Sequence, residues 1–565
     1  MPDLQIRFGQ LDPSAKADIA GIVANATKPW SVLDDLKYDN IDDPGKFATC
    51  EWNHTILDGT FEEFPDTPND PPRTWGLWSD ELSGSDGVFA SPPALDIVFQ
   101  EHHKSAGLTL YFYPHTEDWC SRARVTWYGS QDISDPVFTG EYSMKSTVGV
   151  ISQSVADWRH IKIEFLETNI PYRYIKLFAL DYGLIRRVTD GEINTARVIE
   201  EIDPTGESLS INTFDCNIRT RESMFSPITS PEFDDMMMKR QILTVVKDGV
   251  PFGTFFLEDW LDPHQSGIVF DISGGDAVSV MDMYEHRGGL YVDYPVSDLI
   301  AEIFNIVFPT QLIKYIIDPV FDNAAVTGWL PIGTCALALQ HICFALDAVC
   351  DTARIGDVWI YKRETDPAFE VPLDRQYRKG LDKPTPYYSG VDVYSYSFTP
   401  TAEQDTAYSG QLPAGEHVIK FGAPLHSLTI TGGAIVAAHV NYAVISVPSA
   451  GEVVLTGLKY ADNARAHSVR SQYVVAGEIE AVKEYEGYTL VTPDIAPSLA
   501  QSRYDWLVDN RIQTETEAAL DALEVGYVGT VKTRGRDVVG TVVSLDTNLR
   551  ADKTLMTVVG NVVMD

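Results

Sequence analysis

Residues Thr334–Cys350, TCALALQHICFALDAVC, hold three of the chain's six cysteines and a histidine inside one apolar run. The stretch is either a metal or redox site or a packing helix, and the choice separates an enzyme from a scaffold. At about 1.5 Å of rise per residue, Cys343 falls about 12 Å along a helix axis from Cys335 and about 10.5 Å from Cys350. A disulfide needs Cα atoms within about 7 Å, so an unbroken helix lets no two of these thiols pair or share a metal. Gln340, His341 and Asp347 gather into one narrow polar stripe, and Thr334, after Gly333, supplies an N-cap hydroxyl. The pattern predicts a nearly all-buried helix in which cysteine serves as a small hydrophobe.

The neighbouring segments extend this reading. VSDLIAEIFNIVF (Val296–Phe308) has helical spacing, with Ser297 as its expected N-cap and Glu302 on the polar side. ARIGDVWIYKRE (Ala353–Glu364) reads as a hairpin around Gly356-Asp357. Residues 287–365 are therefore expected to form a small α/β unit. Residues 24–184 carry short alternating runs, ALDIVF, GLTLYFY, ARVTWY, IKIEFL and RYIKLFAL, separated by Pro, Gly, Asp and Ser. Many strands at that spacing predict a β-sandwich. Residues 185–286 read as a further β-domain, whose hairpin Arg240–Trp260 turns at Asp248-Gly249. Another β-domain is expected at 366–490. Residues 491–565 combine a helix, Ile495–Gln513, with a small C-terminal β module, and residues 1–23 form an N-terminal segment. The expected fold class is multidomain and mainly β with α+β parts.

With 81 acidic against 43 basic residues, the net charge is −38. Such a surface repels phosphate backbones and acidic lipids, so neither sequence-specific nucleic acid nor membrane is an expected partner. No signal-peptide pattern opens the sequence, and no eighteen-residue apolar run occurs in it. Six cysteines in 565 residues suit a reducing compartment.

The phosphate-loop, HExxH, GxSxG, paired CxxC and DxDxDG patterns do not occur. His102, His103 and His115 read as solvated surface. So do the adjacent pairs Asp42-Asp43, Glu200-Glu201 and Asp234-Asp235, because neighbours on a strand point to opposite faces. No catalytic residue, metal or cofactor is expected. The tryptophans of the first sandwich are the one candidate site. Exposed indoles stack on sugar rings, which makes Trp75, Trp78, Trp119 and Trp127 candidate glycan-binding residues; the competing reading places them in the core. Trp75 and Trp78, in the loop-like RTWGLWSDE, are expected to be the most exposed.

LDGTFEEFPDTPNDPPRTWGLWSDELSGSDGVFASPPALDIVFQEHHKSAGLTLYF (Leu57–Phe112) resembles a discoidin-like β-sandwich of phage and prophage tail proteins from Gram-positive bacteria. PYRYIKLFALDYG (Pro171–Gly183) looks like the last strand of that module. The run from ARVIEEIDPTGESLSINTFDCNI through PFGTFFLEDW and IVFDISGGDAVSVMDM resembles the core of phage baseplate hub, or tail-associated, proteins. The helix pair with its hairpin and the closing GYVGTVKTRGRDVVGTVVSLDTNL are similar to that family's later parts. The resemblance implies a structural virion protein made in the host bacterial cytoplasm and carried in the tail baseplate. It implies a homotrimer that closes the distal end of the tail tube and contacts distal tail proteins and a central spike or tail-tip protein. Three-fold assembly suits a body between a six-fold tube and a three-fold spike, and it would cover sheet edges. Many members carry a C-terminal peptidase or lysozyme-like extension, whereas this sequence ends at Asp565 after the β module. A tail-associated cell-wall hydrolase is thus the less expected reading, and an adhesion protein binding host cell-wall glycan through residues 24–184 is the nearer alternative.

Overall fold

The computed structural model describes every residue except 1–3, 30, 38–45, 50, 52–58, 60, 62–75, 220–240, 262–268, 310–312, 353, 355, 378–379, 472–480, 520–522, 534–535 and 564–565. The chain divides into a smaller unit, Arg7–Arg187 with Phe225–Ile242, and a larger one, Met1–Ile6, Val188–Met224 and Leu243–Asp565. Strands in several sheets dominate both, as the composition of alternating runs predicts.

The smaller unit is one sheet folded over one core. Its strands run in the order Leu77–Trp78, Lys176–Asp181, Ala94–Phe112, Val148–Thr168, Cys120–Tyr128, Pro136–Ser143, with Ile19–Ala24 along the start of Ala94–Phe112. The two central strands are 19 and 21 residues long, and their pairing shifts register between Val98 and His103, His103 and Ser105, and Ser105 and Gly107. Irregularities of this kind bend a strand, which lets two long strands contribute both ends to the same core. Gly107 sits at the last shift with φ +156, where a Cβ would lie 1.9 Å from the Ile151 carbonyl oxygen. Only glycine permits that approach. The core joins Leu95, Ile97 and Phe99 to Leu108, Leu110, Phe112, Trp127, Trp158 and Phe165.

In the larger unit a long sheet runs Leu381–Pro384, Ile512–Ala518, Lys553–Val563, Asp537–Asn548, Ile193–Glu201, Thr213–Arg219, Val269–Gly275, Val250–Leu261, Ile242–Lys247. Ile193–Glu201 pairs antiparallel with Asp537–Asn548, so the segments at 185–286 and 491–565 share one sheet. Asp248 and Gly249 turn the expected hairpin with φ +54 and +81. Residues 398–462 form a small body of two three-stranded sheets around Ile419, Ile445, Val453 and Leu455. Helix Ala496–Asp509 covers strand Gly390–Ser395 through Leu499 and Ala500.

Three local expectations need correction. Helix Val296–Val307 starts with Pro295 at its cap position and no side-chain cap, so Ser297 lies inside the first turn rather than capping it. The opening stretch is not helical to Cys350. Thr334 does cap the helix, accepting from Leu337 N at 3.1 Å, but the helix spans only Cys335–Leu346. Asp347 then takes the left-handed conformation, φ 55, and reverses the chain into strand Ala348–Thr352. The hairpin consequently pairs Ala348–Thr352 with Val358–Lys362, not residues within Ala353–Glu364 alone.

Trp158 is fully buried, with Phe99 at 4.9 Å edge-on and Tyr182 at 6.1 Å. Truncating it leaves a cavity that a bulged strand pair cannot easily collapse. Trp158→Ala is expected to lower the stability of the smaller unit by about 3–5 kcal/mol, measured by denaturant unfolding.

Candidate functional site

Of the four candidate tryptophans the structure describes three, Trp78, Trp119 and Trp127. Within RTWGLWSDE, Leu77–Trp78 is a short strand paired with Leu177 and Lys176, flanked by bridges from Thr27 to Ser79 and Val32 to Gly76. Trp78 is 2% exposed and Trp127 is fully buried, so neither offers a ring face to a sugar. Trp119 is half-buried, packs on the core, and donates its indole N–H to the Met144 carbonyl at 3.2 Å. Trp75 lies outside the described residues.

Beneath Trp78 is an ionic centre that no motif announced. The Lys176 ammonium lies 5.7 Å from the Trp78 ring and contacts Glu51 at 2.6 Å and Asp118 at 2.7 Å. All three side chains are at most 2% exposed. Glu51 also accepts from the Tyr174 backbone N–H at 2.8 Å, and Thr116 donates its hydroxyl to Asp118. One cation thus ties two distant loops to the sheet. Removing either kind of partner would strand a buried charge, which makes the centre a strong positional constraint. It is closed to solvent and therefore to substrate.

His103, expected at the surface, is 7% exposed and bridges two carboxylates. Nδ1 lies 3.0 Å from Asp12 Oδ2 and Nε2 lies 2.9 Å from Asp18 Oδ2. A neutral imidazole has only one N–H, so donation at both nitrogens requires the imidazolium. Burial pulls the His103 pKa down, but hydrogen bonds and attraction from Asp12 and Asp18 outweigh it, and the net shift is upward. The partners lie 91 and 85 residues away in sequence, which is why no spacing pattern revealed them. His102 meets Asp157 at 2.9 Å but stays 46% exposed.

The larger unit contains a second buried polar region. Glu200, read as solvated surface, is 5% exposed and takes both forks of Arg354 at 3.0 and 2.9 Å. Arg354 also donates to the Leu523 carbonyl at 2.5 Å and lies over the Phe252 ring at 4.2 Å. Asp276 caps helix Ala277–Met281 and accepts from Asn212 N at 2.8 Å and the Thr352 hydroxyl at 2.7 Å. Burial raises its pKa to about 6, and burial with Glu200 and Asp276 nearby raises that of Asp351 to about 7. Among the described residues, no group of three or more His, Cys, Asp or Glu is arranged to hold a metal ion.

The reversal at Asp347 changes the cysteine geometry as well. Cys350 returns to hydrogen-bond with Cys343, and that contact followed by burial raises its pKa well above the usual value. Cys335 and Cys343 are buried free thiols. His341 is 6% exposed beside Tyr488, and burial lowers its pKa to about 4, leaving the ring neutral. Burial raises the Cys335 pKa as well, so neither that thiol nor Cys350 is poised as a nucleophile.

No family model matches the chain, and no curated protein matches it. Among solved structures it is similar to the 43 kDa tail protein of prophage MuSo2 from Shewanella oneidensis, at 12% identity over 65% of this chain and 94% of that one, TM-score 0.37. It is similar to a tail protein from Neisseria meningitidis MC58, at 10% identity over 67% and 94%, TM-score 0.41. It is also similar to prophage tail protein gp18 from Listeria monocytogenes EGD-e, at 8% identity over 66% and 91%, TM-score 0.36.

The His103 bridge carries a pH signature with a definite sign. A histidine whose folded pKa is raised stabilises fully below its unfolded value, near 6.5, and loses that contribution as pH rises through the folded value. The smaller unit is therefore expected to weaken on raising the pH above about 6.5. His103→Gln is expected to remove that slope and to be less stable than wild type at pH 6, as read by urea unfolding across pH.

Proposed function

We propose that this chain is a structural tail protein of a phage or phage-tail-like particle: a trimeric baseplate hub that closes the distal end of the tail tube and anchors the tail tip or spike. The observation that carries this reading is the order of elements in the larger unit. Strands from Ile193 to Gly275, helices Val296–Val307 and Cys335–Leu346, the hairpin after them and the body at 398–462 follow the segment order for which the sequence resembles hub proteins. The C-terminal strand Asp537–Asn548 then pairs back onto Ile193–Glu201. Its partners on this reading are two further copies of itself, the tail tube with neighbouring baseplate proteins, and the spike or tip protein.

Self-association has a physical motive. Leu381–Pro384 ends the long sheet and leaves Leu381 61% exposed, and Tyr377 and Tyr387 are 52% and 57% exposed. An outer strand with apolar side chains invites pairing, and assembly would cover it. The adhesion reading loses Trp78 and Trp127 as stacking platforms, so the hub reading is preferred over glycan binding by the smaller unit. Gold-labelled antibodies against this chain, applied to intact particles, are expected to decorate the distal end of the tail. Label confined to the head or along the tail shaft, or particles that lack the chain, would refute the hub reading.

A further inference from the structure

Lys176 brings an amine and two carboxyl groups into contact inside the smaller unit. Its Nζ lies 2.6 Å from Glu51 Oε2 and 2.7 Å from Asp118 Oδ2, and no side chain of the three is more than 2% exposed. Each carboxyl group is also held at its other oxygen. Glu51 Oε1 accepts the Tyr174 backbone N–H at 2.8 Å, and Asp118 Oδ1 accepts the Thr116 hydroxyl. The main chain of Lys176 is fixed on two sides, by pairing with Trp78 and by the Tyr113 N–H, which donates to its carbonyl at 3.0 Å. The Trp78 ring lies 5.7 Å from Nζ, and the Tyr113 ring packs on that indole at 5.7 Å. Both aromatic residues are buried, and burial pushes the Tyr113 phenol well above its ordinary pKa, so the surroundings are dry.

An amine and a carboxyl group fixed in a dry core meet the conditions for forming an amide. Fixed contact turns a bimolecular encounter into an intramolecular one, which raises the rate by many orders of magnitude. Two opposite charges held out of water recover their desolvation cost only in part, so a neutral product is favoured there. The two carboxyl groups are suited to different tasks. The N–H at Glu51 Oε1 belongs to the backbone and stays in place, as a donor to a developing oxyanion must. Asp118 meets Nζ through Oδ2 and is suited to carrying its proton.

We propose that Lys176 and Glu51 condense to a side-chain amide, with Asp118 as the proton carrier. Asp118 takes one proton from the ammonium, and the freed amine attacks Glu51 Cδ. The C–N bond forms, and the carbonyl electron pair moves onto Oε1, beside the Tyr174 N–H. The intermediate collapses by breaking the bond from Cδ to Oε2. That oxygen leaves as water, carrying the proton held by Asp118 and a second proton from the nitrogen. One ammonium and one carboxylate become one amide and one water, Asp118 is regenerated as a carboxylate, and the step balances without an added co-reactant. The product closes a covalent ring over the 125 residues between Glu51 and Lys176. This modification is additional to the hub reading and does not depend on it.

The test is denaturing mass spectrometry of the intact full-length chain, followed by fragmentation of its proteolytic digest. The wild-type chain is expected to be lighter than its sequence mass by one water, and the digest is expected to contain the Lys176 peptide joined to the Glu51 peptide. Lys176→Arg, which keeps the charge but removes the amine, is expected to have its full sequence mass. Asp118→Asn keeps the shape of the side chain but cannot carry the proton, and is expected to lower the joined fraction after equal times about tenfold or more. A wild-type chain at its full sequence mass, a water loss that persists in Lys176→Arg, or a water loss mapped to any bond other than Lys176–Glu51 would overturn the proposal.

Discussion

The pairing of Ile193–Glu201 with Asp537–Asn548 is the constraint on which the larger unit depends. It joins segments 349 residues apart at Arg197 and Asp546, whose two hydrogen bonds are both 2.6 Å. That ion pair is half-exposed and contributes only a fraction of a kcal/mol to about 1 kcal/mol. The strength lies in the ladder itself and in the core beneath it, where Val542, Leu545, Met556 and Val558 meet Ile202, Val349 and Val371. Closing so long a loop is entropically costly, and the ladder and core must outweigh that cost. A body closed in this way resists fraying from its ends.

A second theme is the use of scarce positive charge. With 43 basic residues against 81 acidic ones, the protein places several of its cations inside. Lys176 reaches Glu51 across 125 residues, Arg354 reaches Glu200 across 154, and Arg503 reaches Asp347 across 156. Buried ion pairs contribute little net stability compared with apolar packing, but losing one partner is expensive. Their effect is to fix which distant segments meet. In chains built mostly of similar alternating strands, that specificity guards against mispaired registers.

The local part of this fold was legible in the sequence. Alternation located the strands, Asp248-Gly249 marked its hairpin, and Thr334 capped its helix. What escaped was non-local or depended on a single backbone angle. Helical period cannot show that Asp347 turns left-handed, because Asp is tolerated both inside a helix and in that conformation, and the misreading carried Cys350 to the wrong place. Trp78 sat among turn-forming residues, yet Ser31 and Lys176 draw it into the sheet. Glu200 and His103 looked solvated because their partners, Arg354, Asp12 and Asp18, are far away in the chain. The candidate site was accordingly the least readable feature: aromatic content is the same whether indoles face sugar or core.

The proposed three-fold assembly of this chain is tested most directly by the mass of the purified protein in solution. Native mass spectrometry or sedimentation equilibrium is expected to give three times the 62.7 kDa chain mass. A species that stays at the single-chain mass over the accessible concentration range would contradict the account.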